Sequence, residues 1–330
     1  VAVPEAIISI GAIPVYVDVE PGGINMDADD LSAKIGNATK AVIVQHSFGL
    51  PADVTRIWAV ARQYNLPVIE DCAHTIASRV NGQTVGTFGD AAFYSYEAAK
   101  PIFAGIGGSA VSNNPRLTQR LEETYTDYRQ PPPLSQIETA TMYLAFTIAY
   151  RPATYWTVRT LYRALSRARL IRGSYNKVAY QQRPAKDFER RMGDMQARQL
   201  RQQLHTLDAS TAHRRHVADA YRRRIKSGIV THLPVPPGVD PVFGRYPMFA
   251  ANKADLAERA RAARVELAVF YDSAVQPLKG DDLRAVGYEP GSCPNAEWAA
   301  DQIVSLPTGI HVGERAIERA VDFLNKVSGQ

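Results

Sequence analysis

A chain of 330 residues, 45 % hydrophobic and 22 % charged, is long enough to bury a large core, as two domains or as one large α/β domain with an appendage. This balance excludes a disordered or fibrous chain. The formal net charge of +5 favours anionic partners, yet the arginines crowd residues 151–225 with no nucleic-acid-binding module beside them, so solvated helix faces and no nucleic acid are expected.

Taken in order, AIISIG reads as a helix ending at Gly11, PVYVDV as a short apolar strand and DADDLSAKI as an acid-started amphipathic helix. KAVIVQHS reads as a buried strand, and DVTRIWAVARQYN as a helix that stops before the strand LPVIED. AAFYSY and GGSAVSNN complete the set. Short buried strands alternating with helices predict a mostly parallel sheet covered on both faces, an α/β fold. Between about residues 124 and 186 the character changes to a proline cluster, QPPPLS, and then an aromatic, arginine-rich stretch. A long charged helix pattern with a break near Asp208 follows, and the remainder reads as a smaller α+β domain. The expected division is 1–123, 124–186 and 187–330. Because the sequence opens partway through a helix-to-strand pattern, the first of these domains is expected to be incomplete at its amino end.

Cys72 and Cys293 lie far apart and without metal-ligand spacing, which suits a reduced, cytoplasmic protein. Cys72 is expected to be a buried filler. His213 and His216 lie one helical turn apart among arginines, where a solvated helix face outweighs a metal site. GIGG at 105–108 is misplaced for a dinucleotide fingerprint.

In such sheets, ligand-binding residues gather beyond the carboxyl ends of the strands. That rule places His46, Asp71 and Ser95 on one rim, with Lys100 on the next loop. Pyridoxal phosphate needs a lysine amine, a carboxylate beside the pyridine nitrogen and hydroxyls for the phosphate. Lys100, Asp71 and Ser95 supply all three, but an aspartate at a strand end is often a helix cap and a serine often just small, so spacing alone does not decide.

The stretches GAIPVYVDVEPGGINMD, VIVQHSFGLPADVTRIWAVARQYNLPVIEDCAHTIAS and GTFGDAAFYSYEAAKPIFAGIGGSAVSNN, with RRMGDMQA and SLPTGIHVGERAIERAVDFL, resemble the DegT/StrS-type nucleotide-sugar aminotransferases. The resemblance implies a fold-type-I aminotransferase with a large cofactor-binding domain, working as a homodimer. It further implies transfer of an amino group from glutamate to a keto group of a nucleotide-linked sugar. Carried over by position, Lys100 forms the internal aldimine and shuttles a proton, Asp71 pairs with the pyridine nitrogen and Ser95 contacts the phosphate. His74 stands near the cofactor where the family usually has glutamine, and it brings both a similar hydrogen bond and a titration near neutral pH. Glu189 stands where an asparagine usually reaches the partner's phosphate. The family's amino-terminal segment, with its phosphate-cradling loop, is expected to be missing. Missing segment, Glu189 and His74 together leave an alternative, a catalytically impaired homologue acting as an interaction or regulatory subunit. The insert's basic amphipathic pattern, TMYLAFTIAYRPATYWTVRTLYRALSRARLIRG, is weighed between an anionic membrane surface and packing on its own protein, with packing favoured.

Overall fold

The computed structural model describes residues 2–97, 100–105, 107–149, 154, 157, 160 and 189–327. Helix α1 (Ala2–Ser9) stops where the sequence puts its stop, the Gly11 N–H donating to Ile8 O at 2.9 Å. Helix α2 (Ala28–Lys34) is capped by the Asp27 carboxylate, which accepts from Asp29 N. Strand β1 (Val42–Gln45) then leads to α3 (Val54–Gln63), whose Val54, Ile57 and Ala61 are buried at helical spacing. Next come β2 (Val68–Asp71), the two-residue strands β3 (Arg79–Val80) and β4 (Gln83–Thr84), β5 (Ala91–Ser95) and β6 (Gly108–Val111).

The first sheet runs β1-β2-β5-β6, parallel through β5, with β6 antiparallel at the edge. Its register pairs Gln45 with Asp71, Asp71 with Phe93 and Ser95 with Gly108. Val42, Val44, Val68 and Ala92 face Ile57, Ala61 and Leu31 in one apolar core. Full burial of each such aliphatic side chain contributes roughly 1.5–3 kcal/mol, which fixes the strands under the rim.

The expected strand PVYVDV is not formed: residues 14–19 make one isolated bridge, Val19 with Met26. Ile13 and Val15 are 85 % and 65 % exposed, so no sheet face covers the apolar side that the pattern seemed to offer. The segment is instead held by its other residues. Tyr16 packs edge-on against Tyr288, and the buried Asp18 carboxylate accepts from Asn295 N at 3.0 Å and Ala296 N at 2.8 Å.

Beyond β6, α4 (Pro115–Asp127) starts from an Asn114 cap, and α5 (Pro133–Ala149) follows. Helices α6 (Asp194–His205) and α7 (Leu207–Arg224) meet at Thr206, close to the expected break. Strands β7 (Val230–His232) and β8 (Val239–Asp240) lead to β9 (Arg245–Ala250) and α8 (Lys253–Ala262). The chain ends in α9 (Asp281–Arg284), α10 (Pro294–Gln302), β10 (Ile303–Pro307) and α11 (Glu314–Val327). An antiparallel sheet β10-β9-β7 carries the second core, in which Met248 and Leu306 meet Tyr221 of α7 and Ile317, Val321 and Leu324 of α11. Strand β8 pairs with β3, tying this half to the first.

Candidate active site

Strand β2 ends in two adjacent carboxylates with opposite surroundings. Glu70 is fully buried, and its oxygens accept from Gly86 N at 2.6 Å and from Phe88 N and Gly89 N at 2.7 Å each. The fourth donor is His46 Nε2 at 3.1 Å; the ring's other nitrogen accepts from Ala52 N, which fixes the tautomer. Burial raises the Glu70 carboxyl, but the His46 N–H and the backbone donors outweigh it and hold Glu70 below the usual carboxylate range. His46, expected on the rim, lies beneath it with both ring nitrogens engaged.

Asp71 keeps capacity to spare. One of its oxygens accepts from Ala73 N at 2.9 Å, and the other has no hydrogen bond to any described residue. Burial lifts its carboxyl above the ordinary value, against the Ala73 N–H and the charge of Lys100. Lys100 lies on the loop after β5, and burial pulls its ammonium below the usual lysine range, against the charges of Asp71 and Glu97. The two groups sense each other without meeting as an ion pair. Ser95 ends β5 two residues past the position paired with Asp71, and its Oγ has no hydrogen-bond partner among the described residues.

The lysine loop folds back on its strand, Tyr96 N donating to Gly107 O and Ala104 N to Tyr96 O, both at 2.9 Å. Glycines permit this. Gly107 has φ of +138°, and a Cβ on Gly108 would lie 2.2 Å from Tyr94 O.

His74 sits under the same rim. Its Nδ1 accepts from Phe48 N at 3.3 Å and its Nε2 faces Tyr271 Oη at 3.4 Å, so Nε2 carries the proton. Burial, aided by the Lys100 charge, pulls the ring down to about 3. The expected titration near neutral pH is therefore corrected: this imidazole stays neutral across the physiological range. Phe48 adopts a left-handed φ of 57° and packs against Tyr271 at 5.5 Å, strain of roughly 1 kcal/mol or more kept at the rim.

Other candidates fall away on geometry. The ligand atoms of His46, Glu70 and Cys72 lie within 4.8 Å of one another. The Glu70 oxygens and both His46 nitrogens are spent on hydrogen bonds, and burial pushes the Cys72 thiol up, which keeps it protonated. His213 bonds Gly309 O and His216 bonds Glu314, in different directions. Glu189 is exposed, its carbonyl accepting from Arg129 N at 3.0 Å.

Asp71 and Ser95 at the carboxyl ends of neighbouring parallel strands, with Lys100 on the loop that follows, make an α/β site whose class the comparisons supply. Solved structures agree on the fold: a DegT DnrJ EryC1 StrS aminotransferase from Brucella abortus superposes with a TM-score of 0.75 at 22 % identity, covering 100 % of this chain and 77 % of that one. DesV of S. venezuelae superposes at 0.73 and 21 %, covering 100 % and 82 %. The sequence profile of the DegT/DnrJ/EryC1/StrS aminotransferase family matches residues 1–131 and 159–325, and the chain belongs to that family. It is 28 % identical to the UDP-N-acetyl-3-dehydro-alpha-D-glucosamine 3-aminotransferase of Acidithiobacillus ferrooxidans, over 99 % of this chain and 74 % of that protein. Over a shorter stretch, 36 % of this chain and 31 % of the relative, it is 43 % identical to the dTDP-4-dehydro-2,3,6-trideoxy-D-glucose 4-aminotransferase of Saccharopolyspora spinosa.

Proposed function

We propose that this aminotransferase uses pyridoxal phosphate to move an amino group from glutamate to a keto group of a nucleotide-linked sugar. One observation carries the reading: Asp71 and Ser95 end neighbouring parallel strands, and Lys100 follows on the next loop, close enough for its charge to act on Asp71. The donor set fits the cofactor, since Asp71 offers a free carboxylate oxygen, Ser95 a free hydroxyl and Lys100 an amine closer to neutrality than a solvated one. When bound, the cofactor supplies the electron sink for the bond broken at the donor's α-carbon.

The chain's own residues do the rest. Asp71 holds a proton on the pyridine nitrogen by offering a fixed negative charge in a dry site. Lys100 Nζ is the nucleophile, and afterwards the base that takes and returns the α-proton. Ser95 donates its hydroxyl to the phosphate, and His74 presents an Nε2–H beside Tyr271. The relatives named for amino transfer to nucleotide-sugar ketones support the substrate class. A homodimer, a cytoplasmic setting and the division at 1–123, 124–186 and 187–330 belong to the same proposal. Among the described residues no helix is long and apolar enough to cross a membrane.

The test is borohydride trapping of added pyridoxal phosphate, followed by peptide mapping. Label on Lys100, lost in Lys100→Ala, with glutamate-dependent amination of a nucleotide keto sugar that falls at least about a hundredfold in Asp71→Asn, is the expected result. Label elsewhere, or undiminished turnover in Lys100→Ala, refutes it.

A further inference from the structure

Two polar side chains of the α6–α7 helix pair hold the backbone of the lysine loop. The Gln203 amide of α6 makes a double contact with Phe103: its Oε1 accepts from Phe103 N at 3.0 Å, and its Nε2 donates to Phe103 O. The guanidinium of Arg214, on α7, donates to Pro101 O at 3.3 Å, one residue past the lysine. The same guanidinium donates to Gly244 O at 3.0 Å and Thr308 Oγ1 at 3.1 Å, on the ends of the second sheet. Apolar contacts flank these clamps, the buried Ile102 and Ala104 meeting Leu200 of α6 and Leu207 of α7.

Arg214 is an unusual choice for a purely structural bond. It is 7 % exposed, no carboxylate pairs with it, and its Nε–H is buried without a hydrogen bond among the described residues. Arg245, whose charge bears on Arg214, is answered by Glu266 at 2.8 Å; Arg214 has no such partner among the described residues. An uncompensated buried cation is costly, and an apolar residue of similar volume commonly fits such a place without loss of stability. What the apolar residue could not do is join three carbonyl and hydroxyl acceptors from separate segments.

We propose that Gln203 and Arg214 are positioning residues for the lysine: together they fix the backbone on both sides of residue 102 and so set where the Lys100 amine reaches. The proposal rests on Lys100 being the cofactor-bearing lysine. It assigns to the helix pair a part in the chemistry, transmitted through the loop and touching neither substrate nor cofactor.

The full chain is compared with its Gln203→Ala, Arg214→Met, Arg214→Lys and Lys100→Ala variants by three readouts. These are peptide-level hydrogen exchange across residues 100–105, the rate of pyridoxal phosphate attachment followed by absorbance, and thermal unfolding. Gln203→Ala and Arg214→Met are expected to raise exchange in that peptide and to slow attachment about tenfold, the size of one or two lost hydrogen bonds. Arg214→Met is expected to keep a melting temperature near the parent's. Arg214→Lys, with a point charge in place of the fork, is expected to recover part of the rate. Lys100→Ala should abolish attachment with exchange elsewhere in the loop unchanged. If Lys100→Ala still attaches the cofactor, the reading of the lysine fails. If it does not, but Gln203→Ala and Arg214→Met attach at the parental rate, the positioning role is overturned. Should Arg214→Met fail to fold, the uncharged, half-buried Gln203 decides the matter alone.

Discussion

Lys100 and Asp71 bias one another in ways that pH can read. The lysine is held below its ordinary range by burial, so the amine is protonated, and unreactive, until the pH approaches that lowered value. Attachment of pyridoxal phosphate should therefore accelerate from neutral to alkaline pH and level off below the titration range of a solvated lysine; a midpoint in the ordinary range would contradict the desolvated site. His74 gives a stability signature. Its folded value of about 3 lies under the unfolded one, so as pH falls from about 6.5 toward 3 the unfolded chain takes up a proton that the folded chain refuses, and stability drops. His74→Gln, which cannot titrate, should lose less stability across that window in urea melts at stepped pH. The places of Asp71 and Ser95 could be read from sequence because strand ends announce themselves, and Lys100 followed on the next loop. His46 shows the limit: its place at a strand end was legible, and the direction of its side chain, down into Glu70, was not. Gln203 and Arg214 carried no signal, one glutamine among several in α6 and one arginine among several in α7, since what distinguishes them is a contact about a hundred residues away in the chain.

Caps and periodicity made most helices readable. Asp27, Asp53 and Asn114 each precede a helix and each accept a backbone N–H in its first turn. The strand expected at 14–19 failed because alternating hydrophobicity describes a surface and says nothing of whether a neighbouring strand is there to pair with it. That segment's work is done by Asp18, which supplies to α10 the cap its own preceding residue lacks: Cys293 makes no side-chain cap bond, and the carboxylate takes the N–H groups of Asn295 and Ala296. Asp18→Ala should cost about 1–2 kcal/mol in denaturant unfolding, whereas Asp18→Asn, which retains an acceptor, should cost less. Equal losses would mean that the cap does not matter. Part of the insert does lie on its own protein, Tyr143 of α5 stacking on Phe103 at 5.8 Å; beyond residue 149 all of the basic stretch but residues 154, 157 and 160 falls outside the described residues.

Helix α5 leaves Leu134, Ile137 and Leu144 between 61 % and 74 % exposed, an apolar row of the kind that a second subunit covers. Sedimentation should show a dimer at micromolar concentration, and Leu134→Glu with Ile137→Glu should weaken it; an active monomer in the parent chain would contradict this. The unmatched stretch 132–158, between the two segments of the family match, contains this same row. The two cores share more than a linker. Leu50, just past the first sheet, is buried in the second core, and Arg214 fastens the lysine loop to Gly244 and Thr308. On the proposed reading, a ligand held at Lys100 would touch a loop that is fastened to both halves. A ligand bound there is expected to stabilise both halves together, so that saturating it should raise the resistance of the whole chain to heat and proteolysis.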